Sequence, residues 1–76
     1  MPIEYLGLSS INGPLIALEG MQDAFFDEIV EFVINGNERR IGRIIELYED
    51  KAVIQVFEGS ENMSLKNTHT RLPGHP

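Results

Sequence analysis

The stretch from Arg39 to Gly59 constrains this chain more than any other. Two extended runs, Arg40-Ile41-Gly42-Arg43-Ile44-Ile45-Glu46-Leu47-Tyr48 and Ala52-Val53-Ile54-Gln55-Val56-Phe57, flank the polar turn Glu49-Asp50-Lys51. Both are rich in β-branched and aromatic side chains, which suit a pleated, half-buried surface. Pairing across the turn sets Leu47 against Ile54 and Ile45 against Val56 on one face. It sets Glu46 against Gln55 and Tyr48 against Val53 on the other. A hairpin with one apolar side is marginal in water, so the rest of the chain must supply further strands.

Seventy-six residues make one domain. A chain this short hides only about 60% of its unfolded surface, which leaves a thin stability margin. With no cysteine, neither a disulfide framework nor a thiolate metal site can staple it. The apolar stretches fall well short of the ~20 residues needed to span a bilayer. Glu4 and Tyr5 follow Met1-Pro2-Ile3 directly, without the basic-then-apolar order of a signal peptide. These features fit a soluble cytoplasmic protein.

The formal charge is −6, from 12 acidic and 6 basic residues, and it counts against nucleic-acid binding. Arg39, Arg40 and Arg43 do lie together, but the simplest reading is a solvated strand paired with an acidic neighbour. If Asn35-Gly36 makes a two-residue turn, Glu31 falls opposite Arg40 and Glu28 opposite Arg43. Such facing pairs contribute only about 0.2–1 kcal/mol each, enough to favour a register.

Gly and Pro punctuate the chain at short intervals, from Gly7 and Gly13-Pro14 to Pro73-Gly74 and Pro76. This spacing predicts an all-β domain, a small closed six-stranded barrel. Its strands are expected near 3–10, 14–19, 28–35, 39–48, 51–58 and 68–72. Closing the sheet removes exposed edges that would otherwise recruit other chains. Asn35-Gly36 is the strongest turn, since both residues tolerate positive φ, and Gly42 marks a bulge or tight bend. Met21, Phe25, Ile29 and then Phe32 or Val33 also fall at helical spacing. The extended reading prevails because Ile29, Val30, Phe32, Val33 and Ile34 run straight into the Asn-Gly turn. Facing outward, Val53, Phe57, Ile44, Ile29 and Val33 alternate with Gln55, Glu46 and Glu31, an apolar share that suggests contact with another domain or subunit.

Catalytic constellations are missing from the pattern. His69 and His75 have no convergent Cys, Asp or Glu at zinc-ligand spacing and read as loop or surface residues. Asp23, Asp27, Glu28 and Glu31 lack the order of a calcium loop and read as solvated carboxylates. Ser9-Ser10 and Ser60 sit outside any nucleophile turn. Neither a phosphate loop nor a dinucleotide fingerprint occurs. No catalytic, cofactor-binding or metal-binding residue is therefore assigned.

Several stretches in order resemble a known family. Ser10-Ile11-Asn12-Gly13-Pro14-Leu15-Ile16-Ala17-Leu18-Glu19-Gly20 is similar to the Gly-Pro-Leu opening of the nucleotide-binding subunits of rotary ATPases. Phe26-Asp27-Glu28-Ile29-Val30-Glu31, Arg39-Arg40-Ile41-Gly42-Arg43-Ile44-Ile45-Glu46 and Asp50-Lys51-Ala52-Val53-Ile54-Gln55-Val56-Phe57-Glu58-Gly59 follow in that family's order. The last, with Leu65-Lys66-Asn67-Thr68 and Arg71-Leu72-Pro73-Gly74, resembles the B subunits of vacuolar- and archaeal-type ATPases more than the related catalytic A subunits. Asn12, Ser60-Glu61-Asn62-Met63 and Pro73 depart from the usual pattern, so the loop from Gly59 to Leu65 is expected to differ locally.

The resemblance implies that residues 1–76 are the amino-terminal barrel of the regulatory, non-catalytic B subunit, excised from a longer chain just after Gly74-His75-Pro76. It implies a place in the crown of an alternating A/B hexamer that supports ATP synthesis or hydrolysis coupled to proton or sodium transport. Partners would be neighbouring catalytic A subunits and the peripheral stalk, with no nucleic acid and no direct membrane insertion. The location would be the cytoplasmic, peripheral part of a membrane-bound complex. No cofactor is expected here; ATP and magnesium would belong to the nucleotide-binding domain. Met21, Phe25 and Phe26, between two strands, are the expected packing surface for a neighbour, with the domain's own core as the alternative. The competing function is a stand-alone small-barrel binding module of oligonucleotide-binding or SH3-like type.

Overall fold

Alternation of side chains along each extended run decides which face turns inward, and the sheet follows from it. The computed structural model describes residues 3–36 and 38–73. Seven strands form: β1 (Ile3–Leu6), β2 (Ser10–Asn12), β3 (Leu15–Glu19), β4 (Ile29–Ile34), β5 (Glu38–Tyr48), β6 (Lys51–Val56) and β7 (His69–Leu72). All pair antiparallel in one curled sheet of order β1-β7-β4-β5-β6-β3-β2. No helix occurs among the described residues, so the helical spacing from Met21 to Val33 is not used as a helix.

Seven strands replace the expected six because the first run breaks. Gly7 takes φ 87°, a conformation that costs glycine little, and the chain bends there. Residues 3–6 then pair with β7, whereas residues 10–12 pair with β3. Between them, Gly7 N donates to the Thr68 carbonyl at 2.8 Å, Leu8 N to Leu65 at 2.6 Å and Ser9 N to Ala17 at 2.8 Å. The two end strands of the sheet are thus consecutive in the chain, and the curl closes through this bent segment. No ladder joins β1 to β2.

Inside the curl lie Ile16, Leu18, Met21, Val30, Phe32, Ile44, Ala52, Ile54, Val56 and Leu72, with Phe32 the largest wholly buried side chain. Ile3, Tyr5, Leu8, Ile11, Ala24, Leu47 and Met63 pack against this core. Burying side chains of this size contributes about 1.5–3 kcal/mol each relative to exposure, and that gain must offset the backbone entropy of so short a chain.

Two registers differ from expectation. Ile34 pairs with Glu38, so three residues separate β4 from β5 and Glu31 faces Ile41, not Arg40. The expected register would have turned Arg39 and Ile41 toward the Phe32 side. The observed one turns Gly42 and Ile44 inward and sends Arg39 and Arg43 to water, which avoids the cost of burying charge. Arg40 does face inward at the barrel's end, where Nη1 donates to the Gly59 carbonyl at 2.9 Å and the guanidinium pairs with Glu38.

In the β5–β6 hairpin, Tyr48 pairs with Lys51 across the two-residue turn Glu49-Asp50, and Lys51 begins β6. A bulge between Ile44 and Glu46 then shifts the phase. Ile44 faces Ile54, Leu47 faces Ala52 and Glu46 faces Val53. The extra residue lets Ile44, expected outside, and Leu47, three positions on, both reach the core. Gly42 is not the bulge; it lies in regular β5 beneath the Phe32 ring.

Candidate assembly surface

The outward faces of β4 and β5, and Phe57 just past the end of β6, carry large apolar side chains in adjoining rows. Ile29 pairs with Arg43, which pairs with Gln55; one row along, Glu31 pairs with Ile41. Phe57 N donates to the Ile41 carbonyl at 3.0 Å, which brings Phe57 beside Ile41. Ile29 is 45% exposed, Ile41 40% and Phe57 54%, so the strip faces solvent. The Arg43 guanidinium lies 6.0 Å from the centre of the Phe57 ring, and its Nε is 3.4 Å from Asp27 Oδ1. Arg43 therefore lies across the strip and links its strands.

Of the three residues expected to meet a neighbour, the structure separates one from two. Met21 is buried in the domain's own core. Its N–H donates to the Asp50 carbonyl at 2.9 Å, and Tyr5, from the opposite end strand, engages the backbone at Gln22 and Asp23. Burial, first among several causes, pushes the Tyr5 phenol up from its ordinary range. With Met21 inserted, Phe25 and Phe26 are held in the turn leading to β4, at 66% and 67% exposure. There Glu28 N donates to the Phe25 carbonyl at 3.1 Å, Phe25 N donates to Glu28 Oε1 at 2.9 Å, and Asp27 takes φ 71°. Asp27 N and the Glu28 carbonyl both bond Ile44, so this turn abuts the Ile29 end of the strip.

Charge occupies the other half of the outer face. Arg71 on β7 lies between Glu4 on β1, 3.3 Å away, and Glu31 on β4, 3.9 Å away. Glu31 also meets Arg39 at 3.1 Å, and Glu4 receives His69 Nδ1. Hydrogen bonding from His69, and more weakly from Arg71, holds the Glu4 carboxyl below the usual carboxylate range. Glu4, Arg71, Glu31 and Arg39 alternate in sign across four strands, and as solvent-screened pairs they fix register more than they stabilise the fold. Arg39, Arg43 and Arg71 are thus each paired with a carboxylate, the reverse of a basic stripe left open for phosphates.

The acidic group seen in the sequence does not converge. Asp27 turns to Arg43, Glu31 to Arg39 and Arg71, and Asp23 lies near Tyr5. Among the described residues no three His, Cys, Asp or Glu side chains gather at metal-binding distance. His69 stands on β7 against Glu4, and His75 lies outside the described residues. Sequence reasoning placed Ile29 and Phe57 outside but missed Ile41, whose outward turn depends on the β4–β5 register. It also missed Tyr5, whose hydroxyl contact joins segments far apart in the chain.

Comparison with known proteins adds a second line of observation. Residues 8–68 match the ATP synthase alpha/beta family, beta-barrel domain. The chain is 44% identical over 73 residues to the V-type ATP synthase beta chain of Thermotoga neapolitana, covering 96% of this chain and 16% of that protein. It is 47% identical over 73 residues to the V-type ATP synthase beta chain 2 of Clostridium tetani, with the same shares covered. Against the B subunit of the A-type ATP synthase of Cenarchaeum symbiosum, identity is 39% over 72 residues, covering 95% of this chain and 16% of that one. The chain therefore spans about one sixth of the length of the relatives it matches.

Proposed function

Since this chain belongs to the ATP synthase alpha/beta family and carries its beta-barrel domain, we propose that it is a structural assembly module of the non-catalytic B subunit of a V- or A-type ATP synthase. Its work is to hold subunits together while the chemistry is done elsewhere in the complex. In this reading the barrel joins the crown of an alternating A/B hexamer and touches neighbouring A subunits and the peripheral stalk. The complex couples ATP synthesis or hydrolysis to ion transport, and this domain lies on its cytoplasmic, peripheral side. Among the described residues no helix is long and apolar enough to cross a membrane, consistent with that place.

One observation carries the reading: a domain of this family exposes Ile29, Ile41 and Phe57 as a continuous strip, with Phe25 and Phe26 beside it. Large apolar side chains grouped on one part of the outer face, with ion pairs beside them, are the composition of a surface that another protein covers. ATP and magnesium are assigned to the remainder of the longer chain, and the separate domain is expected to bind neither. Two measurements test this. Titration calorimetry of the domain with magnesium and ATP is expected to give no saturable heat; a saturable site would overturn the assignment. A full-length B subunit lacking residues 1–76 is expected to form far less hexamer with A subunits on size exclusion with light scattering. Hexamer formation at the level of the intact protein would refute the assembly role.

A further inference from the structure

The dipeptide Asn-Gly occurs twice, at Asn12-Gly13 and Asn35-Gly36, and both copies are exposed. Asparagine before glycine readily loses its side-chain amide, because no side chain on the glycine obstructs its backbone nitrogen. That nitrogen, once its proton passes to solvent base, attacks the side-chain carbonyl carbon of the asparagine. A carbon–nitrogen bond forms in a cyclic imide, the amide carbon–nitrogen bond breaks, and ammonia leaves with a proton from water. Water then opens the ring at either carbonyl and leaves aspartate or isoaspartate. Ring closure requires the peptide between the two residues to swing about the asparagine Cα–C bond, so a clamped turn resists it.

The two turns are held very differently. Asn12 ends β2 in register with Leu15, the Gly13 carbonyl accepts the Ser60 hydroxyl, and the Pro14 carbonyl accepts the Val56 N–H at 2.8 Å. The proline ring also fixes its own φ, so the Gly13 nitrogen lies between anchored neighbours. Asn35 lies just past the last laddered pair, Ile34 with Glu38, at φ 51°, and Gly36 follows at φ 79°. Among the described residues no hydrogen bond from another segment reaches either one. We propose that Asn35 is a site of spontaneous isoaspartate formation in the folded protein, while the pinned Gly13 peptide protects Asn12. In isoaspartate the main chain runs through the former side chain, which adds one carbon to the connection that sets the β4–β5 register. Modification at position 35 therefore loosens the pairing that turns Ile41 outward.

The test incubates the full-length B-type protein in mildly alkaline buffer, native and in urea, and follows both sites by peptide mass spectrometry. The readout is the mass rise of an amide becoming an acid, with isoaspartate scored by labelling with an isoaspartyl methyltransferase. In urea the two sites are expected to convert at comparable rates. In the native protein Asn35 should convert roughly tenfold or more faster than Asn12, since the clamping hydrogen bonds must open together before ring closure. Ser60→Ala, which removes one of those bonds, is expected to raise the native rate at Asn12 and leave that at Asn35 unchanged. Native rates that are equal, or faster at Asn12, would overturn the proposal. So would an Asn35 that converts in urea but not in the folded chain, or a difference between the sites as large in urea as in the native protein. A Ser60→Ala variant whose Asn12 converts no faster than in wild type would remove the protective clamp from the account.

Discussion

Gly42 and Phe32 share one space: a side-chain carbon built on Gly42 would lie 3.2 Å from Cε2 of the Phe32 ring. It would also lie 2.7 Å from the Gln55 carbonyl oxygen and 2.9 Å from Cγ2 of Ile54. Three neighbours on two adjacent strands therefore close over this glycine, and a backbone atom among them cannot move aside cheaply. Gly42 is needed for its lack of volume, not for an unusual φ. Gly42→Ala is expected to cost about 1–3 kcal/mol, as inserting a methyl into a packed core does. In a domain of this size that lowers the melting midpoint by about 4–8 °C per kcal/mol. Thermal unfolding followed by circular dichroism checks it, and a midpoint equal to the wild type would show that the contact is loose.

Thr68 and Thr70 are both buried, yet only one finds a partner. Thr68 Oγ1 accepts the Ser64 N–H at 2.9 Å, whereas Thr70 Oγ1 is buried without a hydrogen bond in the barrel interior. Replacing each by valine keeps the shape and removes the hydroxyl, so the two substitutions should act in opposite directions. Thr70→Val relieves an unpaired polar group and is expected to stabilise by about 1 kcal/mol or more. Thr68→Val leaves the Ser64 N–H unpaired and is expected to destabilise by about 1–3 kcal/mol. Urea midpoints of the two variants, measured side by side, decide it; a shift in the same direction would contradict the hydrogen-bond assignment.

Glu4 ties the end strand β1 to β7 through His69 and Arg71, and its carboxyl is held below the ordinary value of 4.5. A carboxylate depressed in the folded state stabilises it above the unfolded pKa, and that stability is lost as pH falls through the folded pKa. Wild type should therefore exceed Glu4→Gln in stability near neutral pH, and the gap should close as pH drops below 4.5. Urea unfolding at a series of pH values from neutrality into acid measures the gap. A gap that widens toward acid would have the wrong sign for this linkage.

Core and surface phenylalanines should separate stability from assembly. Phe32→Ala empties the centre of the barrel and is expected to cost about 3–5 kcal/mol, enough to unfold much of a small domain. Phe57→Ser removes an exposed ring and is expected to change domain stability by no more than about 0.5 kcal/mol. In the complex the order reverses in kind: Phe57→Ser leaves a folded protein that assembles poorly. Folding by NMR and association by light scattering, made on the same preparations, check both halves. Wild-type assembly by Phe57→Ser would remove this ring from the contact.

The central hairpin and the strand-rich class were legible because β-branched residues cluster there and turns are marked by Asn-Gly and by the polar Glu49-Asp50-Lys51. What escaped was phase. Side-chain direction flips with every residue, so one extra position between Ile34 and Glu38 and one bulge at Ile45 reassigned Arg40, Ile44 and Ile45, while Leu47 kept its expected inward face. Neither is written in local propensity; both are chosen by which register buries Ile44 and keeps Arg39 and Arg43 wet. The break at Gly7 was hidden for a similar reason, since only the competition of β7 and β3 for one run reveals it. The surface was half visible. Ile29, Phe57, Phe25 and Phe26 stand out as apolar residues in polar company, but Met21 looks the same in sequence and lies inside.

The assembly role is tested most directly by carbene footprinting of the intact B-type protein, free and within the complete complex. Labelling of Phe26, Ile29, Ile41 and Phe57 is expected to fall sharply on assembly, while exposed Asn12 and Glu49 change little. Equal labelling of the four apolar residues in both states would leave the strip uncovered and contradict its role as a contact between subunits.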